Sequence, residues 1–211
     1  MRTLSKLSVD HTQAALFLSH QSHFTIGINP LVGVEPHLPI GASLGIRFSP
    51  RVELWQSFDY LTKGFYATSY NKGTKGFRYI LQPRWYTGYR KMFFIAGEFR
   101  YRQYSIIQES GITNGIDTVA IQHRSTQIVP GGAIVFGKKF ILNRKANWLI
   151  EVFAGIGAKQ RIIHRKNIPA GYTVVNYRPL SFALAPNFDD EIGMPYFPIG
   201  MRIAYVFSKK D

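Results

Sequence analysis

The side chains best suited to chemistry in this 211-residue sequence are a handful of histidines, serines and carboxylates. His123-Arg-Ser125 and His20-Gln-Ser22 each set a histidine two residues before a serine. On an extended strand that spacing brings both side chains to one face. A histidine that activates a serine needs a carboxylate to orient it. Glu109 and Asp117 are the acids in the same stretch, and neither is clearly set beside His123. The six histidines, at 11, 20, 23, 37, 123 and 164, lack metal-ligand spacing. There is no cysteine, which removes disulfides and thiolate metal sites. Phosphate loops, dinucleotide fingerprints, zinc-protease helices and nucleophile elbows are missing as well. The sequence therefore leads us to expect no catalytic residue, no cofactor and no metal.

A second set of residues does its chemistry by ion pairing. Arg47, Glu53, Asp59, Arg78, Arg84, Glu98, Arg100, Arg102, Glu151 and Arg202 recur on the polar side of segments that alternate polar and apolar residues. Period-two alternation is the mark of a strand with two unlike faces. Eight such segments follow one another. Phe24, Ile26 and Ile28 open the series, followed by Ile40 to Phe48, Val52 to Tyr60, Phe77 to Trp85 and Phe93 to Tyr101. Ile128 to Phe136, Trp148 to Ile156 and Phe197 to Phe207 complete it, and Gln56 is the one polar blemish on an apolar face. The fold class expected is all-β, an eight-stranded antiparallel up-and-down transmembrane β-barrel over residues 23–207. Residues 1–22 then form a leader or periplasmic segment, and 208–211 a short tail.

The connections support that topology. Residues 49–51, 87–91 and 142–147 give short joins, whereas 31–38, 61–76, 105–127 and 162–195 give long ones. Strict alternation puts every long connection at one end of a meander, the arrangement of membrane barrels. No apolar run approaches the roughly 18 residues of a spanning helix. Barrel strands need only about 9–11.

Aromatic placement decides which face looks outward. With 16 Phe and 12 Tyr the chain is aromatic-rich. On the apolar face Phe48, Trp85, Phe93, Trp148, Tyr205 and Phe207 gather at the short-join end, and Tyr60, Tyr79, Tyr101 and Phe197 at the other. Aliphatic residues fill the band between. Two rings of amphipathic aromatics around an aliphatic band suit a surface facing lipid. The charged face then lines a narrow lumen, in which buried charges must pair. A side-chain plug is expected there in preference to an open pore, because eight strands leave room only for side chains.

The closing residues Pro198-Ile-Gly-Met-Arg-Ile-Ala-Tyr-Val-Phe207 resemble the C-terminal strand of outer-membrane proteins, with Gly200, Ile203, Tyr205 and Phe207 at the positions of its pattern. Over about residues 23–207 the chain resembles the small eight-stranded outer-membrane barrels of the OmpA/OmpX-type architecture. That resemblance implies insertion in a Gram-negative outer membrane by the barrel-assembly machinery, with Gly200, Ile203, Tyr205 and Phe207 as the assembly signal. Members of the family serve as structural proteins, adhesins or lipid-modifying enzymes. The His123/Ser125 pair is similar to the His-x-Ser pair of outer-membrane lipid A deacylases, without the longer motif around it.

The expectation is a non-catalytic integral outer-membrane barrel with structural or surface-interaction duties. A lipid A-modifying esterase using His123 and Ser125, and a soluble lipocalin-like carrier with an apolar interior, are the alternatives. Residues 14–18 are too short an apolar patch for a secretory signal, so no signal peptide is visible. The net charge of +14 is spread over both ends of the expected barrel. Membrane lipid, lipopolysaccharide phosphates and an envelope protein are therefore the partners expected, and nucleic acid is not.

Overall fold

One-sided apolar strands joined by short turns pair most easily with their sequence neighbours, antiparallel. The computed structural model describes residues 23–32, 37–63, 71–88, 92–143, 147–175 and 191–208. Its strands are β1 (His23–Val32), β2 (His37–Arg47), β3 (Val52–Lys63), β4 (Asn71–Thr87), β5 (Phe93–Thr113), β6 (Thr118–Ile141), β7 (Trp148–Lys166), β8 (Thr173–Val175), β9 (Glu191–Tyr196) and β10 (Ile199–Ser208). From β1 to β7 each strand pairs with the next; β7 pairs with both β9 and β10, and β10 returns to β1. The sheet closes on itself. β9 and β10 keep one register along β7, with Tyr196 opposite Gly157 and Ile199 opposite Ala154. They are two halves of one stave, interrupted at residues 197–198, where Pro198 has no amide to give the ladder. The result is an eight-stranded antiparallel closed β-barrel, with β8 paired to the far end of β5 outside the ring.

The short joins are tied by side chains. The Val52 amide donates to Ser49 Oγ at 3.1 Å, and the Arg47 guanidinium donates to the Ser49 and Pro50 carbonyls. At the β6–β7 join, Asn143 Oδ1 accepts from the amides of Asn147 at 2.9 Å and Trp148 at 3.1 Å.

One long connection is not a loop. Residues 105–127 continue β5 and β6 as an unbroken ladder from Phe93 opposite Lys138 to Thr113 opposite Thr118. The chain turns only at 114–117, where Asn114 Oδ1 accepts from the amides of Ile116 and Asp117 at 2.9 and 2.8 Å. This side chain does the work of a turn carbonyl. Alternation fails as a guide here because Ile106 and Ile107 put apolar residues on both faces in succession. The backbone ladder needs no alternation to persist. About twelve residues of β5 thus run on past Tyr101, roughly 40 Å along the strand at about 3.3 Å per residue.

The two faces of the wall are opposite in character. Ile26, Ile28, Leu44, Phe99, Ile134, Phe136, Val152 and Ile156 are exposed on the outside. Charged and polar side chains are buried within. The outward blemish Gln56 has a partner, since the Tyr79 hydroxyl donates to its Oε1 at 3.0 Å.

Candidate functional site: a charged core inside the barrel

Inward-facing positions carry the chemistry of this fold. All ten charged residues singled out in the sequence, Arg47, Glu53, Asp59, Arg78, Arg84, Glu98, Arg100, Arg102, Glu151 and Arg202, are buried. Lys139 joins them, making seven buried cations to four buried carboxylates among the described residues. By sequence position Lys139 lies beside the short 142–147 join, where a lysine is expected in solvent. Its parity carried the missing signal: it shares a face with Val135 and Gly137, whereas Lys138 lies outward over the Phe93 ring at 4.7 Å.

The tightest group lies toward the short-turn end. Glu53 on β3 and Glu151 on β7 come from opposite staves, and cations bridge the space between them. Arg84 Nη1 lies 2.9 Å from Glu151 Oε1 and 3.3 Å from Glu53 Oε2. Lys139 Nζ lies 2.9 Å from Glu53 and 3.4 Å from Glu151. Arg202 Nη1 adds a 2.8 Å contact to Glu151, and the Tyr86 hydroxyl donates to Glu53. Five staves are cross-linked at one level by these groups. Rings close the space around them: Arg84 lies between Trp55 at 4.5 Å and Phe94 at 4.4 Å, and Arg202 covers Trp55 at 4.3 Å. Such large rings fit only over bare backbone. A Cβ on Gly45 would meet Trp55 Cε3 at 2.3 Å, and one on Gly137 would meet Phe94 Cζ at 2.2 Å.

Two further levels follow toward the long-connection end. Arg78 reaches Asp59 through Nε at 2.9 Å and Nη2 at 2.8 Å. Glu98 accepts from Gln82 at 2.7 Å and from the Tyr196 hydroxyl at 3.1 Å, with Arg100 Nε at 3.3 Å. Arg102 stacks over Tyr104, whose hydroxyl donates to Gln127. Paired charge and packed rings make this interior a plug of side chains. A soluble carrier of the kind weighed in the sequence would show the opposite order, apolar within and polar without.

His123 and Ser125 also face inward, 2 % and 0 % exposed. They share a face as the spacing predicts, yet neither ring nitrogen nor Ser125 Oγ has a hydrogen-bond partner among the described residues. Burial, and then the charge of Arg165, hold the His123 imidazolium pKa below its usual value. Asp117 is exposed in the distant turn, and Glu109 pairs in backbone register with Gln122. Among the described residues no carboxylate bonds His123 to complete a triad. The other His-x-Ser pair, at residues 20–22, lies outside the described residues, as does the whole 1–22 segment. Among the described residues no group of histidines and carboxylates could hold a metal.

The aromatic residues singled out in the sequence all face outward. Phe48, Trp85, Phe93, Trp148, Tyr60, Phe197 and Phe207 are exposed, Tyr79 is half-buried, and Tyr101 and Tyr205 are partly covered by neighbouring rings. Trp148, Tyr205 and Phe207 form a ladder with centroids 5.2 and 4.8 Å apart. Gly200, Ile203, Tyr205 and Phe207 lie on β10, the closing half-stave. Comparison with protein families, curated proteins and solved structures returns no match.

Proposed function

We propose that this chain is an integral outer-membrane β-barrel without catalytic activity, which seals its own lumen and presents the long β5–β6 hairpin at the surface. One observation carries the reading: the outside of the barrel carries a belt of exposed apolar residues, while the paired charges are inside. Val52 to Tyr60, Phe77 to Trp85, Phe93 to Tyr101 and Trp148 to Ile156 each span nine residues between outward-facing side chains of this belt. At about 3.3 Å per residue and the usual strand tilt near 40°, nine residues rise about 20 Å, close to the ~25 Å apolar band of such barrels. In water such a belt would be a continuous exposed apolar surface far larger than monomeric proteins tolerate. Hydrocarbon removes that cost.

The paired core supports a structural role over a conducting one, since side chains from five staves meet across the lumen at one level. Anionic lipid and lipopolysaccharide phosphates remain the expected contacts for the basic ends, the barrel-assembly machinery the expected assembly partner, and an envelope protein the expected target of the hairpin. The test is refolding from urea in the presence and absence of phosphatidylcholine vesicles. The protein should float with the vesicles and migrate faster on a gel when unheated. Recovery of a folded, monodisperse protein from buffer alone would refute the reading.

A further inference from the structure

The wall changes register where the eighth stave meets β1. The β1–β10 ladder runs from His23 opposite Ser208 to Ile28 opposite Ile203, then shifts register by one, so that Asn29 and Pro30 together stand opposite Arg202, whose Nε donates to Asn29 Oδ1 at 2.7 Å. Pairing resumes with Leu31 opposite Met201 and Val32 opposite Gly200. Beyond that point the stave from Glu191 to Ile199 pairs only with β7 among the described residues. Pro30 and Pro198 bring no amide to either edge of this seam.

Two spaces border the eighth stave. Inside is a cavity of about 250 Å³, bordered by Asn29, Gln82, Glu98, Arg100, Lys159 and Arg202. Outside is a much larger apolar groove across β10, β7, β6 and β5, lined by Ile95, Phe136, Val152, Ala154 and Met201. Phe153, Phe197 and Ile199 border both. The inner cavity is cationic: three basic side chains border it against the single carboxylate of Glu98. Arg202 bonds Glu151 and Asn29, Arg100 pairs with Glu98, and Arg100 and Lys159 stack on Tyr196 at 4.3 and 5.6 Å. A polar, cationic chamber next to an apolar groove, with Phe153, Phe197 and Ile199 between them, has the charge and polarity of a site for one amphiphile.

We propose that this seam binds a single-chain anionic amphiphile, a long-chain fatty acid. Its carboxylate lies inside against Arg100, Lys159 and Arg202, and its acyl chain passes out at the seam and over Ile199 into the outer groove. Charge and polarity select this ligand class: the three cations of the chamber suit an anionic head, and the adjoining apolar groove suits an acyl chain. A planar carboxylate also matches the forked donors of arginine. The source of the ligand rests on the membrane reading above, because the groove is then bathed in lipid.

The test uses the full chain inserted in phosphatidylcholine vesicles and a palmitate analogue carrying a diazirine close to its carboxyl end. Cross-linked peptides are located by mass spectrometry, and the methyl ester of the same analogue serves as the uncharged probe. The expected result is saturable labelling of Phe153, Lys159 or Tyr196, about tenfold weaker for the ester, as loss of charge-assisted hydrogen bonds requires. Lys159→Met should weaken labelling by the acid and leave the ester unchanged. The acid-to-ester comparison needs no variant, so a folding defect in K159M leaves the test intact. Inserted protein labelled only on outward residues, equally by acid and ester, overturns the fatty-acid site and spares the membrane reading. Protein that fails to float with vesicles overturns both.

Discussion

Glu151→Gln is the substitution to which the sealed core should be most sensitive. Glu151 is fully buried and receives Arg84 at 2.9 Å, Arg202 at 2.8 Å and Lys139 at 3.4 Å. The amide keeps the shape and removes the charge, leaving three buried cations to share Glu53. Breaking a buried ion pair from one side costs about 3–5 kcal/mol, because the stranded partner stays desolvated. With urea slopes of about 1–3 kcal/mol per molar, the unfolding midpoint should fall by more than about 1 M. The assay is urea unfolding of vesicle-inserted protein, read by loss of fast gel migration and by tryptophan fluorescence. Trp55 lies against Arg84 and Arg202 and should report the core directly. Adding Arg202→Met to Glu151→Gln removes one stranded cation and should recover part of the loss. A shift under about 0.5 M for the single variant, with no recovery in the double, would mean that water already solvates these charges. The plug would then not be sealed.

Other consequences are simpler to state. Ile134→Arg, on the outer face where Ile134 is 56 % exposed, should cost about 2–4 kcal/mol in vesicles, the range for arginine at the bilayer midplane. A water-facing site would register almost nothing. Gly137→Leu should block folding or displace the Phe94 ring, since even a Cβ there approaches Phe94 Cζ to 2.2 Å; near-ultraviolet circular dichroism would detect either. Because burial holds the His123 pKa down, the unfolded chain binds the extra proton below about pH 6.5. Stability is therefore complete above that pH and declines as pH falls toward the lowered folded value. Amide exchange in the β5–β6 extension should quicken over that window in the parent and lose its pH dependence in His123→Phe.

Much of this architecture was legible because a barrel wall repeats one rule. From Ile40 to Phe48 or from Trp148 to Ile156, each residue faces in or out by parity alone, so a single strand reveals both surfaces. The lumen set followed from the same rule. Lys139 escaped because basic residues near a turn look solvated until parity is applied to the very end of the strand. The β5–β6 extension was read as a loop because Ile106 and Ile107 break the alternation, and an isolated ladder is held by backbone bonds that leave no sequence trace. The seam at Asn29 and Pro198 depends on register between strands more than 160 residues apart, which no local pattern encodes. The His123/Ser125 spacing was correct about a shared face, but strand spacing carries no information about which face is buried.

The most direct check of the central claim is a spin-label scan of residues 148–156 on β7, one cysteine at a time. The cysteine-free chain makes this background available without further substitution. In vesicles, positions 150, 152, 154 and 156 should be open to membrane-dissolved oxygen and closed to a water-soluble nickel chelate, while 149, 151, 153 and 155 should be closed to both. Ready nickel access at the even positions would place that face in water and contradict the account.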